Sequence, residues 1–368
     1  MSELYVGLIS GTSIDCIDAV ILDCNGALPK LIAFHEHPID NATKQALAAL
    51  CLPDDNEIDR MGAMDIKVGE LFADATHRVL DKAKLTPADI KAIGSHGQTI
   101  RHRPPKQKGK RGFTLQIGDA NTLVEQTGIT TVSDFRRRDM STGGQGAPFA
   151  PAFHQAIVPD DIETCVFLNL GGIANITLMH QGKVVCGYDT GPANGLMDAW
   201  ILKNKGLSFD DNGHWATTGS VNTELLAELK SHSYFGLPAP KSTGREEFHL
   251  PWLESIIAGA DISTEDIQAT LLQLSTETIA DDIAKQSHNA SVIYCCGGGV
   301  RNAALLGSLQ GQLGSTRVTT TDELGIAPDW VEACAFAWLA KQRLDEKPIM
   351  LSAVTGAEHE CIAGAVYQ

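Results

Sequence analysis

Residues 4–23, LYVGLISGTSIDCIDAVILD, decide the fold. An apolar run over residues 4–9 stops at Ser10-Gly11-Thr12-Ser13, and a second run around Ile17, Ala19 and Ile21 follows at once. Two such runs parted by a tight turn read as an antiparallel strand pair. Asn25-Gly26 is a further hairpin signal, and residues 31–39 complete a set of three strands. Helical spacing comes next, with Met64, Val68, Leu71, Phe72, Ala75 and Val79 on one face. A short strand over residues 90–94 then ends in Ser95-His96-Gly97.

The second half returns to this plan. Residues 165–170 read as a strand, Gly171-Gly172 as its turn, and residues 174–179 as the returning strand. Gln181-Gly182 turns the chain into a third strand, residues 183–189. A long helix carries Ile267, Leu271, Leu274, Ile279 and Ile283, and a strand over residues 291–296 ends in Gly297-Gly298-Gly299. Alternating helices and strands are common to many chains. Here both the hairpin order and the glycine positions recur, which points to a duplicated α/β domain. A last helix over residues 329–344 carries Trp330, Phe336, Trp338 and Leu339. The basic stretch 106–112 reads as a solvated loop, and the Gly-rich stretch 141–148 as a hinge or ligand loop.

A chain of 368 residues exceeds one ordinary core and suits two domains. With 43% apolar and 20% charged residues it has the make-up of a globular protein. No run is long and apolar enough to span a bilayer, and the start, MSELYVGLIS, lacks a basic region and a cleavage site. The expectation is a cytoplasmic protein with no membrane partner. A net charge of −16 argues against nucleic acid as a general partner, since phosphate backbones would be repelled. Nine cysteines with no CxxC pair read as reduced, mostly buried thiols.

No Walker A pattern occurs, and no GxGxxG follows a strand and opens a helix. Three other stretches are suited to phosphate: Gly11-Thr12-Ser13 with Asp15, Gly171-Gly172 with Asn175, and Gly297-Gly298-Gly299 with Asn302. Tight glycine turns let backbone N–H groups approach phosphate oxygens, and hydroxyls add donors. Any one alone signifies only a hairpin. Matched glycine hairpins in two halves plus a late glycine loop are a rarer combination.

Taken with GLISGTSIDCID (7–18), GSHGQTIRHRP (94–104), SDFRRRD (133–139), GGQGAP (143–148), NLGGIAN (169–175), DTGPANGLMDAW (189–200), KSTGRE (241–246), CGGGVRN (296–302) and DWVEACAFAWLA (329–340), the chain resembles the anhydro-N-acetylmuramic acid kinases over essentially its whole length. The resemblance implies an α/β fold of duplicated actin-like (ribonuclease H-like) domains with a nucleotide cleft between two lobes. The N-terminal lobe would be residues 1–135 plus 352–368, with the first phosphate loop and part of the sugar site. The C-terminal lobe would be 136–351, with the second phosphate loop, the adenosine loop and the catalytic Asp. The implied activity is ATP-dependent phosphorylation of the anhydro sugar at O6, while water opens its 1,6-anhydro bridge. It would serve cell-wall recycling, with ATP and Mg²⁺ as cofactors and a small amino sugar as partner; a homodimer is left open. Kinases of a plain anhydrohexose such as levoglucosan, and filament or chaperone ATPases of the same fold, are the rival readings. No appended peptide-binding domain is evident, which argues against a chaperone.

By the same resemblance, Gly11, Thr12, Ser13, Ile14, Asp15, Cys16, Ile17 and Asp18 form the first phosphate loop, where Cys16 stands at a position typically Gly. Gly171, Gly172 and Asn175 form the second, and Gly297, Gly298, Gly299 and Asn302 complete the nucleotide set. Asp189 would be the general base, against the alternative of a turn-forming Asx residue. Glu332 would be a second carboxylate near the water, against a helix capping box started by Asp329. Arg137, the middle of Arg136-Arg137-Arg138, would reach the site, against a solvated charge run. Asp15 would hold hydrated Mg²⁺, or else face solvent. His96 and Gln98 would touch the sugar or be structural. Lys241 and Arg245 would meet a carboxylate or phosphate, or lie on a surface loop.

Overall fold

The strand Leu4–Ser10 is buried along nearly its whole length, as a continuous apolar run requires of a strand covered on both faces. The structure, a computed structural model, describes residues 3–11, 13–105, 111–239, 241–244, 247–286 and 290–368. Along these residues run β1 (Leu4–Ser10), β2 (Cys16–Asp23), β3 (Lys30–Pro38), β4 (Ile90–Arg103), β5 (Phe113–Ile117) and β6 (Thr131–Ser133). There follow β7 (Thr164–Leu170), β8 (Ile173–His180), β9 (Lys183–Pro192), β10 (Val292–Cys296), β11 (Arg317–Thr320) and β12 (Ala365–Tyr367).

One sheet has the order β12-β6-β4-β1-β2-β3, with β5 added on β4; the other has the order β11-β10-β7-β8-β9. In the first, β2 is antiparallel to β1 and β3, while β4 is parallel to β1 and β6. In the second, β8 is antiparallel to β7 and β9, while β10 is parallel to β7 and β11. The two halves thus share one order, third-second-first-fourth-fifth, with only the second strand reversed. This is a duplicated ribonuclease H-like, or actin-like, α/β fold.

The chain forms two compact units. The first comprises the chain up to Val158, with Leu324–Ile326 and Trp330–Gln368; the second comprises Pro159–Glu323 and Ala327–Asp329. These limits differ from the lobes drawn on the sequence at 135/136 and 351/352. The cause is the helix Val331–Leu344, which lies on β1 and β4 of the first unit. Gly7 and Gly94 are register partners on those strands. A Cβ on Gly7 would come within 1.9 Å of Ala333 O, and one on Gly94 within 1.9 Å of Phe336 O. Helix backbone therefore rests on strand backbone, and Glu332, the helix's second residue, is carried on the first unit.

Each unit has its own core. In the first, Val68, Phe72, Ala75 and Val79 of the helix Glu57–Ala83 pack with Val6, Leu8 and Ile21. In the second, Ile267, Leu271, Leu274, Ile279 and Ile283 of the helix Thr264–Gln286 pack with Val166, Leu168 and Ile176. Both helical faces are those the sequence periodicity indicates.

Candidate active site

In the first unit, the turn between β1 and β2 closes with Ile14 N–H donating to Gly11 O at 3.1 Å. Ile14 has φ 58°, a left-handed conformation that a β-branched residue adopts only under restraint, and its buried side chain supplies the restraint. Ser13 is exposed, Ile17 is core, and Thr12 lies outside the described residues. Gln98, placed opposite Ser10 on β4, donates from Nε2 to Gly11 O at 3.3 Å. Gln98, with 1% of its surface exposed, supports the turn through its Nε2.

Mg²⁺ takes hard oxygen donors and keeps several of its waters. The Asp15 carboxylate is largely exposed and lies 3.2 Å from Lys44 Nζ, so a cation there meets an ammonium first. Ligand atoms of Cys16, Asp18 and Glu36 all lie within 4.8 Å of one another. A thiol is a soft donor that hard Mg²⁺ does not favour, and Cys16 Sγ already donates to Asp18 Oδ1 at 3.4 Å. The Asp18 and Glu36 carboxylates remain, and they fit Mg²⁺ better than Asp15 does.

The helix Phe135–Ser141 separates the three arginines. Arg136 points inward: its Nε donates to His96 Nε2 at 2.8 Å and its Nη1 to Gly146 O at 2.8 Å. Arg137 is 62% exposed and donates from Nε to Asp134 Oδ1 at 2.6 Å. Arg136 is thus the arginine of the triplet that turns inward, where the sequence favoured Arg137 as the one that reaches the site; helical phase turns only one of the three inward. Burial lowers the Arg136 pKa to about 10, against the opposing pull of Glu332 and Asp139. Glu332 stands at the second position of its helix and is exposed. The capping-box reading of Glu332 falls away. The N-cap is Trp330 with no side-chain cap bond, and Asp329 pairs instead with Arg301 at 2.6 Å. His96 is 5% exposed and occupied by Arg136 and by Gly97 O, which corrects its reading as a sugar contact.

In the second unit a polar row crosses the sheet. Cys296, Asn169, Asn175 and Asp189 are successive register partners on β10, β7, β8 and β9, so their side chains share one face. Asn169, Asn175 and Asp189 all remain partly accessible. Gly297, at φ 81°, passes so close to this row that a Cβ would lie 2.4 Å from Asn169 Oδ1. A Cβ on Gly299 would lie 2.3 Å from Asn194 Nδ2 and 2.7 Å from Leu170 O. The carbonyls of Gly171 and Gly172 accept from Asn194 and from Ala193 and Gly195 N–H at 3.0–3.1 Å. The β7–β8 turn and the Gly297–Gly299 loop thus meet within this unit. Gly298 has open space around it. Asn302 is buried and serves the fold instead: its Oδ1 caps the helix Ala303–Leu313 by accepting from Leu305 N–H at 3.1 Å.

Asp189 lies within β9, three residues before its end, and is held by the loop that follows residue 240. Its Oδ2 accepts from Ser242 Oγ at 2.9 Å and from Thr243 N–H at 3.1 Å. Its backbone N–H donates to Lys241 O at 3.1 Å, and its carbonyl accepts from Tyr234 OH at 2.6 Å. Lys241 itself turns inward. Its Nζ lies 2.9 Å from Asp282 Oδ2, with the two side chains 4% and 6% exposed, and 4.8 Å from the Tyr234 ring. It therefore braces the Asp189 loop, and the expectation that it meets a ligand carboxylate is corrected. Arg245 lies outside the described residues. Sequence reading missed Arg136, Asn169, Ser242 and Thr243 as site residues, though all four stand in the motifs quoted above.

Two ribonuclease H-like units, glycine turns at matched strand ends, and a carboxylate fixed beside one set of turns define an actin-like phosphotransferase. The family model for anhydro-N-acetylmuramic acid kinase matches residues 3–368, and the chain belongs to that family. Relatives of that name are 49% identical in Coxiella burnetii (strain Dugway 5J108-111), covering 99% of this chain and 97% of the relative, and 46% identical in Saccharophagus degradans, covering 99% of both. The protein is a sugar kinase: it uses ATP and phosphorylates an alcohol group of a small sugar. No helix among the described residues is long and apolar enough to cross a membrane.

Proposed function

We propose that the protein converts 1,6-anhydro-N-acetylmuramic acid, ATP and water to N-acetylmuramic acid 6-phosphate and ADP, in the recycling of cell-wall sugars. The observation that carries this reading is the clamped Asp189 carboxylate, fixed by Ser242 and Thr243 in the polar row of the second sheet, opposite Asn175. Asp189 takes a proton from the water that attacks C1. The C1–O6 bond breaks, O6 bonds to the γ-phosphorus, and the bond from that phosphorus to the ADP oxygen breaks. Phosphoryl transfer to O6 replaces the acid that glycosidic cleavage ordinarily needs, so one carboxylate suffices as base.

The Gly11–Asp18 turn, Gly171-Gly172 and Gly297–Gly299 are assigned to the phosphates and adenosine of ATP, with Asn175 and Asn169 on the adjoining polar row. Bound Mg²⁺ would neutralise phosphate charge, held through water by Asp18 and Glu36. Glu332 is assigned to the water and sugar side, and the arginine triplet, with Arg137 exposed and Arg136 turned inward, to orienting the base or the sugar. ATP supply and nine cysteines kept as thiols favour the cytoplasm.

Oxygen-labelled water tests the chemistry. Label is expected at C1 of the product and not in the transferred phosphate. Asp189→Asn preserves shape and turn hydrogen bonding but removes the base, and turnover is expected to fall on the order of 10²–10⁴-fold with ATP binding intact. An active Asp189→Asn enzyme, or label in the phosphate, refutes the mechanism. Equal turnover of levoglucosan would instead favour a plain anhydrohexose as substrate.

A further inference from the structure

We propose that Tyr234 is a positioning residue: its hydroxyl locks a bulge in β9 that aims the Asp189 carboxylate. The proposal rests on the reading of Asp189 as the base. On β8 the neighbours Ala174 and Asn175 stand opposite Gly191 and Asp189 of β9, so Thr190 is an extra residue, a β-bulge. A bulge interrupts the ladder and re-aims the side chains beside it. β9 is an edge strand of its sheet, and the backbone of Asp189 bonds outside the ladder. Its N–H donates to Lys241 O at 3.1 Å, and its carbonyl accepts from Tyr234 OH at 2.6 Å. Phe235, the next residue, braces the far side of the bulge. Gly191 has φ 144°, and a Cβ there would lie 2.7 Å from Phe235 Cε1, so the ring rests on the bulged backbone itself.

Tyr234 is itself firmly held. It is 2% exposed, and its ring centroid lies 5.6 Å from that of Phe248 and 6.0 Å from that of Phe235. Lys241 Nζ sits 4.8 Å from the same ring, while Lys241 O takes the Asp189 N–H. One side chain therefore touches both residues of the Lys241–Asp189 backbone bond. A carbonyl only accepts, so the tyrosine hydroxyl is the donor to Asp189 O. The carboxylate needs such a hold, because the last torsion of an Asp side chain is broad and selects no single orientation. With the backbone fixed, Asp189 Oδ2 meets Ser242 Oγ at 2.9 Å and Thr243 N–H at 3.1 Å. Without the Tyr234 bond the Asp189 peptide gains freedom to turn, and the carboxylate drifts from those two donors.

Tyr234→Phe is the test, since it deletes the hydroxyl and keeps the ring with its packing. The change is made in the wild-type enzyme and in Asp189→Asn, and single-turnover rates are compared at a temperature where circular dichroism shows every variant folded. In the wild-type background the rate is expected to fall about tenfold with ATP binding unchanged, within the loss on the order of 10²-fold that a shift of about 1 Å brings. In the Asp189→Asn background the same change is expected to cost less than about twofold, because a residue that acts through Asp189 has nothing left to aim. If Tyr234→Phe does not fold, Phe235→Leu loosens the other side of the bulge and is read by the same two comparisons. A folded variant with wild-type turnover, or with an equal loss in both backgrounds, overturns the proposal; the second result marks a structural role alone. Wild-type turnover in Asp189→Asn itself would instead remove the reading of Asp189 on which the proposal rests.

Discussion

Lys241→Met separates two accounts of the loop that holds Asp189. If Lys241 met the sugar's carboxylate, its loss would raise the Michaelis constant for sugar and leave stability alone. The structure places Nζ 2.9 Å from Asp282 Oδ2 with both side chains buried, and removing one partner of such a pair leaves an uncompensated charge. That typically costs about 3–5 kcal/mol. Lys285 still reaches Asp282 Oδ1 at 3.1 Å but is largely exposed, so it offsets only part of the loss. A value near the low end, about 3 kcal/mol, is expected. For a unit in the 150–250-residue class this corresponds to a fall of about 6–12 °C in the melting temperature of the second unit. Calorimetry on the full chain measures it, and kcat should fall too, because Lys241 O anchors Asp189 N–H. Replacing both partners by Met and Leu should recover most of the stability. A Lys241→Met protein that melts like the parent, with only a raised constant for sugar, would refute the argument.

Gly94→Ala places a methyl 1.9 Å from Phe336 O, and the obstacle is helix backbone that cannot rotate away. Overpacking of this kind costs about 1–3 kcal/mol or more, so a lower denaturant midpoint is expected, together with a kcat loss as the helix bearing Glu332 shifts; an unchanged midpoint would contradict the backbone contact. Cys16→Gly is expected to leave the Michaelis constant for ATP within about twofold, because the thiol turns along the strand to Asp18 Oδ1 at 3.4 Å. A clear fall in that constant would mean that the Cys16 side chain crowds the phosphates.

The parts of this molecule legible in its sequence are those that local chemistry determines. A turn of Ser, Gly and Thr between two apolar runs has few folds open to it, so β1–β2 and β7–β8 could be read directly, as could the matching order of the two halves. Side-chain direction was harder, because it depends on what lies opposite in space. Lys241 stands in a run of polar residues, which reads as a surface loop, yet a buried Asp on a helix about forty residues away draws it inside. The arginine triplet shows the same limit and a way past it. On the helix Phe135–Ser141 a residue faces inward together with those three or four positions on, and Phe135 and Asp139 are the buried pair. Arg136 stands three residues before Asp139, on that side, and both clamp the peptide of Gly146, Arg136 at its oxygen and Asp139 at its nitrogen. The spacing of Arg136 and Asp139 therefore carried the information that the charge run alone did not. The same clamp explains why the first compact unit runs on past 135/136. A helix whose inward groups tie the 143–148 loop and Thr355 to itself cannot belong to a different unit from them.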